Sequence, residues 1–253
     1  MPVGGKGPKM SKVFFQTETG AQVPAVTAEQ MLEVDRLAME TYHLGILQMM
    51  ENAGRNLAHH VLELITEKNA VVTVLAGPGG NGGGGICCAR HLHNRGIKTH
   101  IVLSRSMDEL GEAARHQIKI LQAAGVQPIQ TSNAEEMIKS AGLVVDALIG
   151  YSLRGVPHGL TADLIQWCNQ HAVQVISLDV PSGMDATTGE APGVVVQPIR
   201  TLTLGLPKTG LRNLQSDIYL ADIGIPPELY RHLGISFEPP FGDRDWVRLI
   251  AAA

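Results

Sequence analysis

The stretch Val71–Gly85, which reads VVTVLAGPGGNGGGG, decides the fold class of this chain. Its first part, Val71–Ala76, is rich in β-branched and aliphatic residues, which is typical of a strand buried on both faces. The glycine-rich part, Gly77–Gly85, predicts a loop, and a helix is predicted from about Ile86 to Arg95. A buried strand, a loop and a helix in this order indicate the beginning of a parallel α/β sheet.

The same alternation continues on both sides of this stretch. Upstream, Thr27 and Gln30 fit a capping box that opens one helix, and a second helix is predicted from Met49 to about Glu67. The whole pattern predicts an α/β fold with a central, mainly parallel sheet and right-handed crossovers. Downstream, strands are predicted at Thr99–Leu103, Val126–Ile129, Leu143–Ala147, Val173–Leu178, Thr201–Leu204 and Ile218–Ala221, and helices at about Asp108–Ala124 and Leu160–His171.

The two ends of the chain carry weaker patterns. Residues 1–24 are predicted to form a mobile N-terminal arm, with a short extended piece at Val13–Phe15. Residues 25–240 are predicted to form one domain, since an α/β domain of this size is ordinary. Residues 241–253 are predicted to form a C-terminal tail, in which Trp246–Ala253 is a short helix.

Composition excludes several classes of protein. The net charge of −4, without a basic block, argues against DNA binding through bulk electrostatics. No run reaches the ~18 consecutive apolar residues that a membrane span needs. Cys87, Cys88 and Cys168 show no disulfide or zinc spacing, so they predict reduced thiols and a cytoplasmic location. Cys87 and Cys88 are expected to be small core residues of a helix.

Four unusual loops directly follow predicted strands. The carboxyl ends of parallel strands share one edge of an open sheet, where such sheets bind ligands. We therefore expect the four loops to converge on one site. The loops are Gly77–Gly85 (GPGGNGGGG), Asp146–Pro157 (DALIGYSLRGVP), Asp179–Asp185 (DVPSGMD) and Gly205–Gly210 (GLPKTG).

Each loop offers chemistry and also has a structural interpretation. The glycine loop lets backbone N–H groups approach a phosphate, or it is only a flexible turn. Asp146 and Asp179 can bind a cation, exchange a proton or accept a hydrogen bond from a sugar hydroxyl, or they cap the next element. Asn81 and Ser182 add neutral oxygens that, with Asp146, would suit a hard cation.

Three charged residues of these loops each have two possible roles. Lys208 and Arg154 either pair with a phosphate or are solvated surface charges. Asp185 either orients Ser182 or stabilises its own turn.

Several short motifs, in this order and spacing, resemble a known family over roughly residues 26–233. The family is that of the NAD(P)H-hydrate epimerases, or YjeF N-terminal domain proteins, which includes the apolipoprotein A-I-binding protein. The motifs are Met50–Gly54 (MENAG), Gly77–Gly83 (GPGGNGG), Ala89–Leu92 (ARHL), Val145–Leu148 (VDAL), Leu153–Gly155 (LRG), Asp179–Asp185 (DVPSGMD) and Pro207–Gly210 (PKTG).

The resemblance implies a three-layer Rossmann-like fold, often a homodimer, and an isomerase that uses a potassium ion. Its substrate would be hydrated NADH or NADPH, a dinucleotide whose R and S epimers it interconverts. Asp179 would be the catalytic acid/base, and Asn81, Asp146 and Ser182 the potassium ligands. The residues expected to contact the substrate are Gly80, Asn81, Gly82, Gly83, Gly84, Gly150, Tyr151, Ser152, Leu153, Arg154, Gly155, Val156 and Asp179, together with Lys208 as a phosphate partner.

The chain departs from the family pattern at two loops. Gly80 and Gly84 replace an Asn and an Asp of the usual Asn-Asn-Gly-Gly-Asp-Gly, and Tyr151-Ser152 replaces Thr-Gly. These changes keep two other hypotheses open: an inactive module that binds a nucleotide, RNA or protein, and an enzyme for another adenine nucleotide. For the epimerase, replacing Asp179 with alanine is predicted to end turnover and to leave the fold intact.

Overall fold

The computed structural model describes residues 13–67, 69–130 and 133–251. A single sheet runs through the protein, with helices packed against it. The strands are β1 (Phe14–Thr17), β2 (Gln22–Pro24), β3 (Val71–Ala76), β4 (Lys98–Leu103), β5 (Ile129–Gln130), β6 (Leu143–Ala147), β7 (Val175–Leu178), β8 (Arg200–Leu204), β9 (Asp217–Ala221) and β10 (Trp246–Ala251). The helices are α1 (Ala28–Glu40), α2 (Ile46–Leu64), α3 (Gly80–His93), α4 (Glu112–Ala123), α5 (Ala134–Lys139), α6 (Leu160–His171) and α7 (Pro227–His232).

The sheet is mainly parallel, as predicted. Its order is β2-β1-β10-β9-β8-β7-β6-β3-β4-β5. The strands from β3 to β9 pair in parallel, whereas β10, β1 and β2 add an antiparallel edge. Strand β3 lies inside the parallel part and is buried on both faces, because Val72 and Val74 face one core cluster and Leu75 faces another.

The helices cover both faces of the sheet and complete a three-layer architecture. Helices α2, α3 and α4 pack on the face that carries Val74, and α5 and α6 pack on the face that carries Leu75. Helices α1 and α7 enclose a further core cluster with the antiparallel strands. The predicted Rossmann-like fold is thus confirmed. No helix in the described parts of the chain is long and apolar enough to span a bilayer.

The glycine-rich stretch is not entirely a loop. Helix α3 begins at Gly80, so Gly80–Gly85 form its first turns. The glycines permit close contacts that a side chain would prevent: a Cβ at Gly85 would lie 2.5 Å from Cβ of Ala147. From the other side, a Cβ at Gly54 of α2 would lie 2.6 Å from Cβ of Cys87. Both Cys87 and Cys88 are buried in this helix, as predicted.

The predictions for the two ends of the chain need correction. The prediction of a mobile arm is wrong for residues 13–24. Phe14–Thr17 and Gln22–Pro24 form a hairpin, and Phe15 and Val23 in it are fully buried. Residues 1–12 of that predicted arm lie outside the described residues. The C-terminal helix is wrong, because Trp246–Ala251 form β10 between β9 and β1. The domain therefore extends beyond the predicted limits of 25 and 240.

A buried histidine predicts acid sensitivity of this fold. His60 of α2 is fully buried against Tyr219 and Trp246, and its Nδ1 lies 3.0 Å from Nη1 of Arg200. Burial, and then the charge of Arg200, lower its pKa from 6.5 to about 3. Since only the unfolded chain takes up this proton, we expect the free energy of unfolding to fall as pH drops from about 6.5 towards 3, by up to about 1.4 kcal/mol per pH unit.

Urea unfolding at several pH values measures this effect. His60→Gln removes the titratable ring, so the variant should lose that part of the acid sensitivity. His116→Gln changes an exposed histidine and serves as the matched control. A His60→Gln variant with the same pH dependence as the wild type would contradict the assignment.

Candidate active site

The four predicted loops do converge at the carboxyl edge of the parallel strands. A cleft of about 560 Å³ opens there. Loops that follow β3, β6, β7 and β8 contribute to its walls, and helices α1, α2 and α4 close the sides. The polar and charged side chains that line it belong to Asp35, Asn81, Glu112, Tyr151, Asp179 and Lys208, together with Ser152.

Asp179 lies at the end of β7 in an unusual backbone conformation. Its φ of 70° falls in the left-handed region, which aspartate tolerates better than most residues and which is common at functional sites. The residue is 3% exposed, and its N–H donates to the Leu202 carbonyl at 2.7 Å. Its Oδ2 accepts a hydrogen bond of 2.9 Å from the Tyr151 N–H. The Tyr151 N–H thus holds the carboxylate at the cleft, and Leu202 of β8 holds the backbone of the same residue.

Lys208 supplies the charge partner of Asp179. Its Nζ contacts Oδ1 of Asp179 and donates to the Leu204 carbonyl at 2.8 Å, and the side chain is fully buried. The segment is anchored to Val26, whose N–H donates to Pro207 at 2.9 Å and whose carbonyl accepts from Thr209 at 2.9 Å. Lys208 is therefore not a solvated surface charge. Its ammonium lines the cleft but is engaged with Asp179.

Asp35 is a cleft residue that the sequence analysis missed. It lies on α1, and its Oδ2 accepts a 2.5 Å hydrogen bond from the phenol of Tyr151. Burial raises the pKa of the Asp35 carboxyl, while the hydrogen bond from Tyr151 opposes that rise. Burial and then the nearby charge of Asp35 raise the pKa of the Tyr151 phenol well above its usual range. A signal was present, because Asp35 follows Met31 by one helical turn and so places a carboxylate beside the apolar stripe of α1.

Asp146 and Ser182 contact each other behind Ile149, a residue that lines the cleft. Both are fully buried; Ser182 Oγ contacts Asp146 Oδ1 at 2.5 Å, and Ser182 N–H donates to Oδ2 at 2.9 Å. Ser177 Oγ donates to the same Oδ2 at 2.7 Å. The Ile149 N–H in turn donates to Ser182 Oγ at 2.8 Å, which joins this cluster to the loop of Gly150. Burial raises the pKa of Asp146, and no salt bridge among the described residues involves it.

Asn81 connects the glycine-rich helix to this region. A Cβ at Gly150 would lie 3.1 Å from Asp179 Oδ2 and 3.3 Å from Asn81 Oδ1, so the two side chains flank Gly150. The amide Nδ2 of Asn81 is buried and has no hydrogen-bond partner in the described structure. The predicted functional residues thus fall into two groups: Asn81 and Asp179 line the cleft, whereas Asp146 and Ser182 are buried outside its lining.

The remaining predicted contact residues divide in the same way. Gly80, Gly84, Gly150, Tyr151 and Ser152 line the cleft. Gly82 and Gly83 are buried in the first turn of α3, and Leu153, Arg154, Gly155 and Val156 lie outside the cleft lining. Asp185 does not orient Ser182; its Oδ1 accepts from the N–H groups of Thr187 at 2.9 Å and Thr188 at 2.7 Å, which stabilises its own turn.

Away from the cleft, the described residues contain one set of possible metal ligands, and an arginine side chain lies against it. The ligating atoms of Glu51, Cys87 and His91 lie within 4.8 Å of one another. The guanidinium of Arg90 contacts Glu51 Oε2 and lies 3.3 Å from Cys87 Sγ. Burial raises the pKa of the Cys87 thiol to about 12. The cluster is an ionic link between α2 and α3.

The fold and the cleft together define a class: an α/β protein with a buried, backbone-held carboxylate in a cleft at the carboxyl edge of a parallel sheet. The chain belongs to the family described as YjeF-related protein N-terminus, whose model matches residues 46–210. It is 45% identical over 245 residues to the NAD(P)H-hydrate epimerase of Dehalogenimonas lykanthroporepellens, covering 94% of this chain and 98% of the relative.

Other relatives and a solved structure agree with this assignment. The NAD(P)H-hydrate epimerase of Rhodopirellula baltica is 34% identical over 85% of this chain and 90% of its own length. The Bifunctional NAD(P)H-hydrate repair enzyme Nnr of Salinibacter ruber is 35% identical, and the match covers 81% of this chain and 41% of that enzyme. The crystal structure of yeast ynu0, YNL200c, superimposes with a TM-score of 0.78 at 25% identity, over 91% of this chain and all of the yeast chain.

Proposed function

We propose that the protein is an NAD(P)H-hydrate epimerase, an isomerase that interconverts the R and S epimers of hydrated NADH and NADPH. The names of the relatives support this, since the one from Dehalogenimonas lykanthroporepellens matches nearly the whole of both chains. The single structural observation that carries the proposal is the buried pair of Asp179 and Lys208 at the cleft. A carboxylate that its surroundings hold in one position is what acid–base chemistry at a substrate requires.

The cleft suits a dinucleotide in size and lining. Its volume of about 560 Å³ is within the usual range for small-molecule sites, and its walls are largely apolar, from Met31, Met49 and Leu178 among others. Gly80, in the first turn of α3, also lines the cleft, and helix N-termini favour phosphate groups. The N–H of residue 151 holds Asp179, so Tyr151, one of the departures from the family pattern, leaves this contact in place.

A direct assay tests the proposal. Purified protein in potassium buffer is given each separated hydrate epimer, and the appearance of the other epimer is followed by chromatography. We expect interconversion from both directions at a rate well above the spontaneous one. A rate equal to the spontaneous rate, with protein that binds NADP or ADP-ribose in calorimetry, would point instead to an inactive binding module.

We also propose that a potassium ion is held by Asn81, Asp146 and Ser182. The donor set supports this, because carboxylate, amide and hydroxyl oxygens are the ligands of hard cations. One observation adds support: Asp146 carries a buried carboxylate without a basic partner among the described residues. When bound, the ion would balance the charge of Asp146 beneath the substrate.

Potassium should raise the thermal stability of the protein. A ligand that binds only the folded state stabilises it, and roughly 2–4 °C in Tm corresponds to 1 kcal/mol for a chain of this size. We expect a higher Tm in potassium chloride than in tetramethylammonium chloride of equal ionic strength. Asp146→Asn should abolish the difference, whereas Asp163→Asn, an exposed change on α6, should keep it. Equal Tm values of the wild type in the two salts would contradict the site.

A homodimer and a cytoplasmic location complete the proposal. The family resemblance supports the dimer, which light scattering of the purified protein can test. The three cysteines are buried and free, which supports a reducing compartment.

A further inference from the structure

Besides Asp179, two carboxyl groups line the cleft: Glu112, which is exposed, and Asp35, which is half-buried. The surroundings of Asp35 differ from those of Asp179. Both oxygens of Asp179 already have a donor, Lys208 on Oδ1 and the Tyr151 N–H on Oδ2. Asp35 accepts one hydrogen bond on Oδ2, from the Tyr151 phenol. Its Oδ1 has no hydrogen-bond partner among the described residues, although the side chain lines the cleft. Asp35 therefore has an oxygen free to meet a ligand.

Tyr151 links Asp179 and Asp35. Its backbone N–H donates to Asp179, and its phenol donates to Asp35. The ammonium of Lys208 lies 5.7 Å from the centre of the Tyr151 ring. The two carboxyl groups thus lie at opposite ends of Tyr151, one at its backbone N–H and the other at its phenol, and both line the same cleft.

Epimerisation at a carbon that carries a hydroxyl needs proton exchange on two faces. The C–O bond breaks with its electron pair on oxygen, and a proton converts the departing hydroxide to water. The ring carries the resulting positive charge until water adds to the opposite face and gives up a proton. Atoms and charge balance without an oxidant, but one carboxyl that is fixed in place serves only one face.

We propose that Asp35 is a second catalytic residue, which exchanges a proton with the substrate oxygen on one face while Asp179 serves the other. This inference rests on the proposed epimerase function. For one epimer Asp35 gives the proton to the departing hydroxyl and Asp179 takes one from the arriving water. For the other epimer the two roles reverse.

The surroundings of Asp35 are compatible with this role. The Tyr151 phenol and the charges of Lys208 and Asp179 influence the pKa of Asp35. Burial, and then the charges of Asp222 and Asp35, raise the pKa of the buried Tyr230. Burial outweighs the Tyr151 hydrogen bond and raises the pKa of Asp35, so the carboxyl keeps its proton to a higher pH than an ordinary aspartate. Asp179 is instead held in an ion pair with Lys208.

Turnover of variants at residue 35 tests the proposal. Asp35→Asn should lower kcat by about 100-fold or more in both directions, the usual contribution of a positioned acid or base. Asp35→Glu should restore part of that loss. Glu33→Gln removes an exposed carboxylate of the same helix and should match the wild type. A wild type with no activity overturns the epimerase itself, whereas an active wild type with an equally active Asp35→Asn overturns only this inference.

The pH profile separates a catalytic Asp35 from one that only positions Tyr151. Tyr151→Phe removes the phenol that stabilises the ionised Asp35 but keeps the N–H on Asp179. The pKa of Asp35 should rise further, so the limb of the kcat/KM profile that reports it should move to higher pH. An unmoved profile in Tyr151→Phe, with normal folding, contradicts the proposal.

Discussion

Replacing Asp179 with asparagine should abolish epimerase turnover, with a loss in kcat of about 100-fold or more. Asparagine keeps the size and tolerates a φ of 70°, but it cannot exchange a proton. The same change leaves the buried Lys208 without its counter-charge, and removing one partner of such a pair costs on the order of 3–5 kcal/mol. We therefore expect both lower turnover and a lower Tm, measured by the epimer assay and by calorimetry.

The buried ion pair of Asp179 and Lys208 revises what the sequence alone predicts for Asp179. From the sequence, its replacement by alanine is expected to leave the fold intact, because the residue follows a strand and lies in a loop. The structure shows instead that the fully buried Lys208 depends on it. The stability of the variants is therefore part of the test and not a control.

A double variant separates stability from catalysis. Asp179→Asn combined with Lys208→Met removes both buried charges, so it should recover much of the lost Tm. Turnover should stay lost, since no carboxyl remains at position 179. Turnover that returns together with Tm would mean that Asp179 has a structural role only.

Replacing Gly82 with alanine should strongly destabilise the fold. The added Cβ would lie 1.8 Å from the Gly77 carbonyl oxygen and 2.6 Å from its carbonyl carbon. Both atoms belong to the backbone at the end of β3, so they cannot move aside as a side chain would. We expect a loss on the order of 5 kcal/mol or more, or no folded protein, measured by urea unfolding of the soluble fraction.

Gly80→Ala is the matched control for this prediction. It lies two residues earlier in the same helix, and a Cβ there meets nothing within 4 Å. The variant should unfold at or slightly above the urea midpoint of the wild type, because alanine favours a helix over glycine. If Gly82→Ala unfolded at the same midpoint as Gly80→Ala, the close approach to Gly77 would be wrong.

Most of the parallel part of the fold could be predicted from the sequence. Strand β3 and the strands beside it are continuous apolar runs that only a sheet buried on both faces accommodates. The antiparallel edge was missed because β1 and β2 are short, with four and three residues. Strand β10 alternates in burial, since Val247 and Leu249 are buried and Arg248 and Ile250 are exposed. The sequence hides this alternation because Ile250 is apolar, and six residues do not exclude a helix.

The site was predicted in position more than in detail. Loops after parallel strands meet at one edge by topology, so Asp146 contacts Ser182, and Asn81 and Asp179 flank Gly150. Which oxygen faces the cleft depends on side-chain packing, and the sequence does not show that Asp146 turns inward to Ser182 and Ser177. Asp35 was missed because α1 precedes the parallel strands in the chain and its contact with Tyr151 spans 116 residues.

The most direct test of the account is the fate of the substrate oxygen. Epimerisation in water enriched in oxygen-18, followed by mass spectrometry, shows whether water leaves and returns at the cleft. We predict that each catalysed conversion places one solvent oxygen in the product epimer. The Asp179→Asn variant should incorporate solvent oxygen no faster than the spontaneous reaction does. A product epimer that forms at the catalysed rate and keeps its original oxygen would contradict the loss and return of water.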